Sequence, residues 1–596
     1  MTDFIVLGPV LAPLSAAFLI PFFALISKRL IPLLSVLAMA LCLGALSLAA
    51  VPVFLKDEVL VYWMGGWKPL PGLAVGINLA IDAWGLFISL VIALVGFLAV
   101  IYSIVYMREE TGKEAYYILV MLLIAALIGF TLTGDLFNQF VWLEILSFSA
   151  FALTAFHYQE KDALEGAFKY LLTNSVAALF IIVALALLYA TTGALNLAEA
   201  AGEFGKNSGE LIALGLLFAG YAIKTALVPW HFWLPDAYQA APAPVTAIFS
   251  GALSKVGVYA IGRLLFTLTP GEFNFVIREI FLGISALTMF VGGFQMLRQE
   301  SIKRILAYSS ISQMGYILMG LAIGTPLAIA AASVHILNHA LSKAALFFGA
   351  GSIELQSGVT GLSQGGGLKR KMPITLGLMG LAGLSLSGIP LTIGFISKTM
   401  LEESAVDGGH GWVAAIAVVS SVFTFAGIAR LLWRVFFGEG HEAIKGVHRG
   451  AHLLSQFAMA VPVLLTLLIG VFPRLPLKWF AWSSATALLQ PGHYVAHILT
   501  MERQPPGEAV LITPPPSLLH WSVWLIPTLI AITGLLLAYY SLPGNEQGLW
   551  EFPLMKGLYV LFRRWHSGLV LDYLLWSAFS TSVLLVLFVL IFSGVI

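Results

Sequence analysis

The stretch YAIKTALVPWHFWLPDAYQAAPAPVTAIFSGALSKVGVYAIGR, residues 221–263, decides the fold. Lys224 and Lys255 sit in it among apolar neighbours, where a fixed charge is expensive. Pro229, five residues after Lys224, lacks a backbone donor and is expected to break the helix there. Such a break is tolerated in an apolar environment only where its freed carbonyls face protein or water. The loop Asp236 to Pro244 is expected to turn the chain, and the next apolar run carries Lys255 about ten residues in. A buried lysine, a broken helix and a second buried lysine read together as parts of an ion path through a membrane.

The composition supports that setting. Of 596 residues, 59% are hydrophobic and 10% charged, against about 25% charged in soluble domains. Apolar runs of roughly 20 residues recur from end to end, which makes the fold class all-α and polytopic, with the lipid bilayer as its surroundings. A net charge of +1 gives no sign of a nucleic-acid partner. The single cysteine, Cys42, lies inside an anticipated span, so no internal disulfide is expected. The N-terminus has no basic region ahead of its first apolar run, Phe4 to Ile26, which reads as a span and not as a cleaved signal.

Fourteen spans are expected up to Phe472, centred near Ala16, Ala40, Ala93, Ile124, Ile145, Val176, Ala222, Val256, Leu287, Met314, Asn338, Leu386, Val422 and Leu465. Two more, near Ile530 and Leu585, bring the total to about sixteen. The Pro-rich stretch from Pro473 to Pro516 reads as interfacial, and Leu549 to Trp565, with Lys556, Arg563 and Arg564, as a helix along a membrane surface. Basic clusters fall in every second loop, at Lys28 and Arg29, Arg108 and Lys113, Lys161, Arg298 to Arg304, Lys369 to Lys371, and Arg434, Lys445 and Arg449. The positive-inside rule then places these loops in the cytoplasm and the N-terminus outside, with Lys56, Lys68 and Arg278 as exceptions.

An internal repeat is expected from the chemistry of two spans. The seventh carries Lys224 and Pro229; the twelfth carries Gly388 and Pro390, followed by Lys398. Two interrupted spans five apart, each with a lysine, fit inverted five-helix repeats. The chain divides accordingly into residues 1–110 (spans one to three), 111–270 (first repeat), 271–440 (inverted second repeat) and 441–596 (span fourteen and a C-terminal extension).

Other ionisable groups complete the row. Glu144 lies nine residues after Asp135, roughly 13 Å into its span at 1.5 Å per residue. His335, His339 and Lys343, at i, i+4 and i+8, share one helix face. Glu144, Lys224, Lys255, His335, His339, Lys343 and Lys398 form a candidate proton relay, because histidine titrates near working pH and a buried lysine is pulled toward that range. Lys398, with Glu402 one turn on, also fits a lysine that snorkels to an interface. Two nitrogens from His335 and His339, without a nearby cysteine or acidic ligand, make no metal site. Asp82, opening its span, reads as a helix cap. Each embedded charge costs at least ~2.5 kcal/mol on the insertion scale, so the group as a whole favours an ion path over structural roles. No GxGxxG, CxxC or haem-ligand pattern appears, and no cofactor or redox centre is expected in this chain.

The phrases LTGDLFNQFVWLEILSFSAF (132–151), KTALVPWHFWLPDAYQAAPAPVTAIFSGALSKVGVYA (224–260), SVHILNHALSKAALFFGAGSI (333–353) and GIPLTIGFISK (388–398) resemble the antiporter-like subunits of respiratory complex I, Mrp-type Na+/H+ antiporters and membrane-bound hydrogenases. The wording LTGDLFN is most similar to the D-type subunit of Mrp antiporters and its hydrogenase relatives. The resemblance covers about residues 80–440 and implies that Glu144 pairs with Lys224, that Lys255 is the central lysine, that His335, His339 and Lys343 relay, and that Lys398 is the outlet. It also implies membrane-subunit partners, H+ and Na+ as transported ions, and a plasma-membrane location. Members of the D type end soon after span fourteen, whereas this chain continues, and WHSGLVLDYLLW (565–576) resembles the end of the larger antiporter-like subunits. The expected function is proton translocation within a multisubunit Mrp-type antiporter. The alternatives are a proton-pumping subunit of a complex I-like or hydrogenase complex, a non-conducting scaffold, and an independent solute symporter.

Overall fold

The apolar runs fold as helices throughout. The computed structural model describes residues 2–70, 73–205, 208–269, 271–437, 450–499, 522–542, 553–565 and 567–592. All sixteen centres read from the sequence fall inside helices. Twelve of these are long and apolar enough to cross a membrane on length and composition. The other four depart for visible reasons. The seventh (Ser208–Thr225) and eleventh (Pro326–Ser357) carry charged and polar side chains, the twelfth is split into Pro373–Ser387 and Ile393–Asp407, and the fifteenth is the apolar helix Ser522–Tyr540, whose side chains are described from Trp524 on.

Burial sorts the helices into an inner and an outer set. An 18-residue stretch of the eighth span (Ala243–Leu268) and of the tenth (Ile302–Ile323) is buried throughout, against 33% of such a stretch in the first (Asp3–Ile26) and sixteenth (Val570–Leu590). The outer helices present residues such as Phe18 and Leu25 outward, as lipid-facing surfaces do. Among the described residues the strands are a single antiparallel ribbon, Leu60–Trp63 with Asn78–Ile81, in the loop between spans two and three. Asn78 ties that loop to two others: its carbonyl accepts from Gly134 N at 3.0 Å and its Oδ1 from Asn196 Nδ2 at 2.9 Å. The loops after spans two, four and six therefore share one face. Those after spans three, five, seven, nine and eleven line a common cavity on the other. The alternation read from loop charge is the alternation of the fold; Lys445 and Arg449 lie outside the described residues.

Two aspartates open spans as caps. Asp82 Oδ1 accepts from Gly85 N at 2.9 Å, and Asp135 Oδ1 from Asn138 N at 2.6 Å. Burial pushes the Asp135 carboxyl up to about 6, against the amides of Asn138 and Phe137, which lower it.

Both interruptions anticipated at prolines are present. The seventh span stops at Thr225, and Ala226 follows at φ 58°. Pro229 lies inside the break, in the place just past a helix end where proline is common. The freed carbonyls are satisfied locally: Ala222 O accepts from Leu227 N at 3.0 Å, and Ile223 O from Trp233 Nε1 at 3.0 Å. The chain resumes as helix at Trp233–Ala240, so the expected loop from Asp236 to Pro244 is corrected to a turn at residues 241–242. Pro235 lies in the first turn of that helix, where its missing N–H has no partner to lose. The twelfth span ends at Ser387, with Gly388 at φ 84° and Leu391 at φ 70°, and resumes at Ile393. The returning strand of chain passes so close that a Cβ on Gly394 would lie 1.7 Å from Ser385 O.

The stretch from Pro473 forms short helices as far as residue 499. Its Leu488 and Tyr494 are buried, and Ser484 Oγ reaches Ala83 O at the start of span three. The remainder to Pro516 lies outside the described residues. Within the stretch Leu549 to Trp565 a helix runs over Pro553–Trp565, with Lys556 exposed and Phe562 set against Phe294 of span nine, ring centroids 5.6 Å apart. Residues 549–552, and the side chains of Arg563 and Arg564, are outside the description.

Candidate functional site

Span eight brings Lys255 to the centre. A wide helical turn at Phe249–Leu253 precedes it, of the kind that leaves carbonyls available to side chains. Lys255 Nζ takes one of them, Ser250 O, at 2.5 Å, and also reaches Ser254 Oγ at 3.2 Å. Its third contact is His339 Nδ1, across from span eleven. Both residues are fully buried, and His339 Nε2 has no hydrogen-bond partner among the described residues.

The helix face carrying His339 extends in both directions. One turn before it, His335 meets Ser397 Oγ at 2.9 Å through Nδ1 and Gln313 Oε1 at 3.0 Å through Nε2. One turn after it, Lys343 Nζ donates to Leu306 O at 2.7 Å and to Ser309 Oγ. Ser250 and Ser310 exchange a hydrogen bond of 2.8 Å, and Ser310 shares the Leu306 carbonyl with Lys343. Lys255 and Lys343 thus sit on the two backbone carbonyls, Ser250 O and Leu306 O, that flank the Ser250–Ser310 pair.

Ser397 is the neighbour of Lys398, so the bond from His335 ties span eleven to the twelfth span beside that lysine. Lys398 does not snorkel. It is buried, donates to Ser421 Oγ at 2.8 Å, and lies over the Tyr316 ring at 4.4 Å. The break makes room for it: a Cβ on Gly388 would stand 2.9 Å from Lys398 Cδ. Asn338 Oδ1 accepts from Ser385 Oγ at 2.7 Å and pins the end of the broken helix to span eleven.

The other end of the row is arranged differently. Lys224 Nζ donates to Ser147 Oγ at 2.8 Å. Glu144, one turn before Ser147 on the same helix, is half-buried, and its Oε1 has no hydrogen-bond partner among the described residues. The ion pairs of the described residues do not join Glu144 to Lys224. The structure therefore sets Lys255, His339 and Lys343 around one cluster of shared hydrogen bonds, places His335 and Lys398 next along the same faces with partners of their own, and leaves Glu144 and Lys224 to one side. Spans seven and eight still touch closely, since a Cβ on Gly257 would overlap Thr225 Oγ1 at 2.1 Å.

Several polar residues at the site were missed in the sequence. Ser147, Gln313, Ser397, Ser421 and Tyr316 supply the partners of the charged groups. The runs SSISQ (309–313) and SS (420–421) inside apolar spans were the available signal. A second cluster lines a cavity of about 950 Å³ on the face of the basic loops. There Asp236 holds Lys169 at 2.9 Å and Arg304 at 2.6 Å, and Lys303 pairs with Glu354 at 3.1 Å. On the opposite face Arg263 pairs with Asp82 beneath the Tyr494 ring. Among the described residues, His, Cys, Asp and Glu form no group of three fit to hold a metal.

Comparison with known proteins places this architecture. Residues 133–424 match the family model described as NADH:quinone oxidoreductase/Mrp antiporter, TM, and residues 67–117 match the N-terminus of NADH-ubiquinone oxidoreductase (complex I), chain 5. The N subunit of the NADH-quinone oxidoreductase of Desulforudis audaxviator (strain MP104C) is 37% identical over 476 residues, covering 76% of this chain and 93% of its own. The chain belongs to this antiporter-like family. Another member, the D subunit of the Na(+)/H(+) antiporter of Bacillus subtilis (strain 168), is 31% identical over 505 residues, covering 84% of this chain and all of that one. A chain of the Mrp complex from Dietzia sp. DQ12-45-1b superposes with a TM-score of 0.76 at 26% identity, covering 84% of this chain and 99% of that one. A chain of the membrane-bound sulfane sulfur reductase (MBS), an archaeal respiratory membrane complex, gives 0.76 at 31% identity with the same coverage. Antiporter-like family members of this kind are membrane subunits of multisubunit complexes, and the present chain is an antiporter-like membrane subunit.

Proposed function

We propose that the chain conducts protons across a membrane along the row Lys343, Lys255, His339, His335 and Lys398, with Glu144 and Lys224 governing when the row is loaded. The direct contact of Lys255 with His339 carries this reading, since it places a proton donor and an acceptor from separate spans in bonding reach. In each step one N–H bond breaks and another forms: Lys255 Nζ releases its proton to His339 Nδ1, and the proton passes along span eleven to His335 and thence to Lys398. The cavity holding Asp236, Lys169 and Arg304 is the uptake mouth; Glu354, which lines it, stands eleven residues from Lys343, roughly 16 Å along the helix. Glu144, while ionised, holds the charge on Lys224, and releasing that hold frees a proton toward Lys255. One charge moved against 100 mV costs ~2.3 kcal/mol, which a displacement of about two pKa units in one lysine supplies.

Within this reading the chain serves a multisubunit Mrp-type Na+/H+ antiporter in a plasma membrane, its basic loops in the cytoplasm and its N-terminus outside. Full coverage of the B. subtilis D subunit supports that assignment. The two interrupted spans, each with a positive-φ residue in its break and a lysine bonded to a serine, support division into inverted five-helix repeats over residues 111–270 and 271–440. The 37% identity to the N subunit of a NADH-quinone oxidoreductase favours a second reading, in which neighbouring redox subunits drive the same proton path. The test is proton uptake by vesicles bearing the assembled complex, driven first by a sodium gradient and then by NADH. Sodium-driven uptake that Lys255→Ala removes supports the antiporter; NADH-driven uptake alone selects the redox-coupled complex. Uptake unaffected by Lys255→Ala under either drive overturns both.

A further inference from the structure

The proposed row stops at Lys398, but the structure does not. A cavity of about 440 Å³ opens beside this lysine, lined by Gly388, Lys398, Glu402, Glu403 and Asp407 and walled on its far side by the fifteenth-span helix (Ser522–Tyr540). Glu402 follows Lys398 by one helical turn, so both side chains lie on one face of Ile393–Asp407. The two do not form an ion pair in this conformation: Lys398 Nζ is turned instead to Ser421 and the Tyr316 ring. Glu403 and Asp407 stand exposed at the rim, while Glu402 is half-buried.

We propose that Glu402 takes the proton from Lys398 and is the last carrier before solvent, inside a vestibule that the C-terminal extension completes. Resting on the relay reading, the step breaks an N–H bond on Lys398 Nζ and forms an O–H bond on the Glu402 carboxylate, which then gives the proton to water in the cavity. The charged and titratable groups facing Glu402 are few. Lys398, Glu403 and Asp407 come from its own helix and Tyr316 from span ten; span thirteen offers Ala414, Ala415 and Val418, and the extension offers Ile526, Pro527 and Ile530. Among the residues lining the cavity, no other acid stands between the buried lysine and the rim. The extension helix contributes only apolar surface, so its part is to shape the space: it walls one side of the cavity through Ile526, Pro527 and Ile530, with Gly534 packed on Phe425 of span thirteen.

The chain offers a clean way to test this, because its one cysteine, Cys42, is fully buried. In the assembled complex, Thr399→Cys and Ala415→Cys are expected to react with a membrane-impermeant maleimide from one side of the vesicle only, with the parent chain as blank. Absence of labelling at both positions overturns the vestibule. At matched amounts of assembled protein, Glu402→Gln is expected to lower proton flux at least tenfold. Glu402→Asp is expected to recover part of it and to shift its pH profile. Ile530→Trp, which fills the cavity from the extension, is expected to lower flux severalfold while every carboxylate remains. Normal flux in Glu402→Gln, with Lys398→Ala inactive, overturns the role of Glu402 and leaves the relay standing; normal flux in Lys398→Ala overturns the relay itself.

Discussion

Lys255 is held by a carbonyl, a hydroxyl and an imidazole, all of which accept a proton-bearing ammonium. Arginine at this position keeps the charge but holds its proton beyond about pH 12, so it fills the space without cycling. Lys255→Arg is therefore expected to lose proton flux as fully as Lys255→Ala, measured in vesicles under an imposed pH gradient at equal assembly. Flux equal to the parent in the arginine variant is incompatible with proton exchange at this site. Glu144→Gln is expected to reduce flux at least tenfold with assembly intact, and Glu144→Asp to keep a measurable fraction, since charge is retained and only reach is shortened. Parent-level flux in the glutamine variant sinks the role given to Glu144. The charged members of the row were legible because a lysine in an apolar run stands out on a single line of sequence. Their partners were not. Ser147 also donates to Leu143 O at 2.6 Å, the local bond any buried helical serine makes, and nothing in its own neighbourhood marks it as the partner of Lys224.

The two interrupted spans were legible for the same reason that they work. Proline and glycine announce where a helix cannot continue, and an apolar context announces that the interruption is covered by protein. What proline does not announce is which end of a helix it belongs to: Pro229 and Pro390 lie in breaks, while Pro235 sits inside the helical turn that follows one. Gly388 tests the element. Its φ of 84° and the 2.9 Å approach to Lys398 Cδ leave no place for a side chain. A left-handed residue with a Cβ costs about 1–2 kcal/mol before any clash is counted. Gly388→Val is expected to lower the thermal midpoint of the chain and to cut flux severalfold by displacing Lys398. Unchanged midpoint and flux would falsify the claim that this turn positions the lysine. Gly257→Val, at the contact between spans seven and eight, is expected to cost stability by overpacking, about 1–3 kcal/mol, read as a lower midpoint in a detergent-solubilised melt.

At the scale of the molecule, helix number and the sorting of loops came from the period and charge of the sequence, because both are local properties. Where the extension packs is a matter of tertiary contact and was not readable. Its sixteenth-span helix docks on the break of span seven, Tyr573 stacking on Phe232 at 5.2 Å and Trp230 Nε1 reaching Ser577 O at 3.4 Å. Deleting the residues after Glu502 is expected to weaken association with partner subunits more than it alters the core, measured by co-purification and by the melt of the remaining chain. Retention of every partner by the shortened chain contradicts a docking role for the tail. Lys255 and His339, two bases at hydrogen-bonding separation, cannot both be cationic. Unit charges about 3 Å apart repel by roughly 5 kcal/mol at an effective dielectric near 20. In the proposed relay the pair is an exclusive seat, occupied by one proton at a time, and such a seat turns the row into a turnstile. However steep the gradient behind it, each turn admits a single ion, and the rate saturates at the time the seat takes to empty.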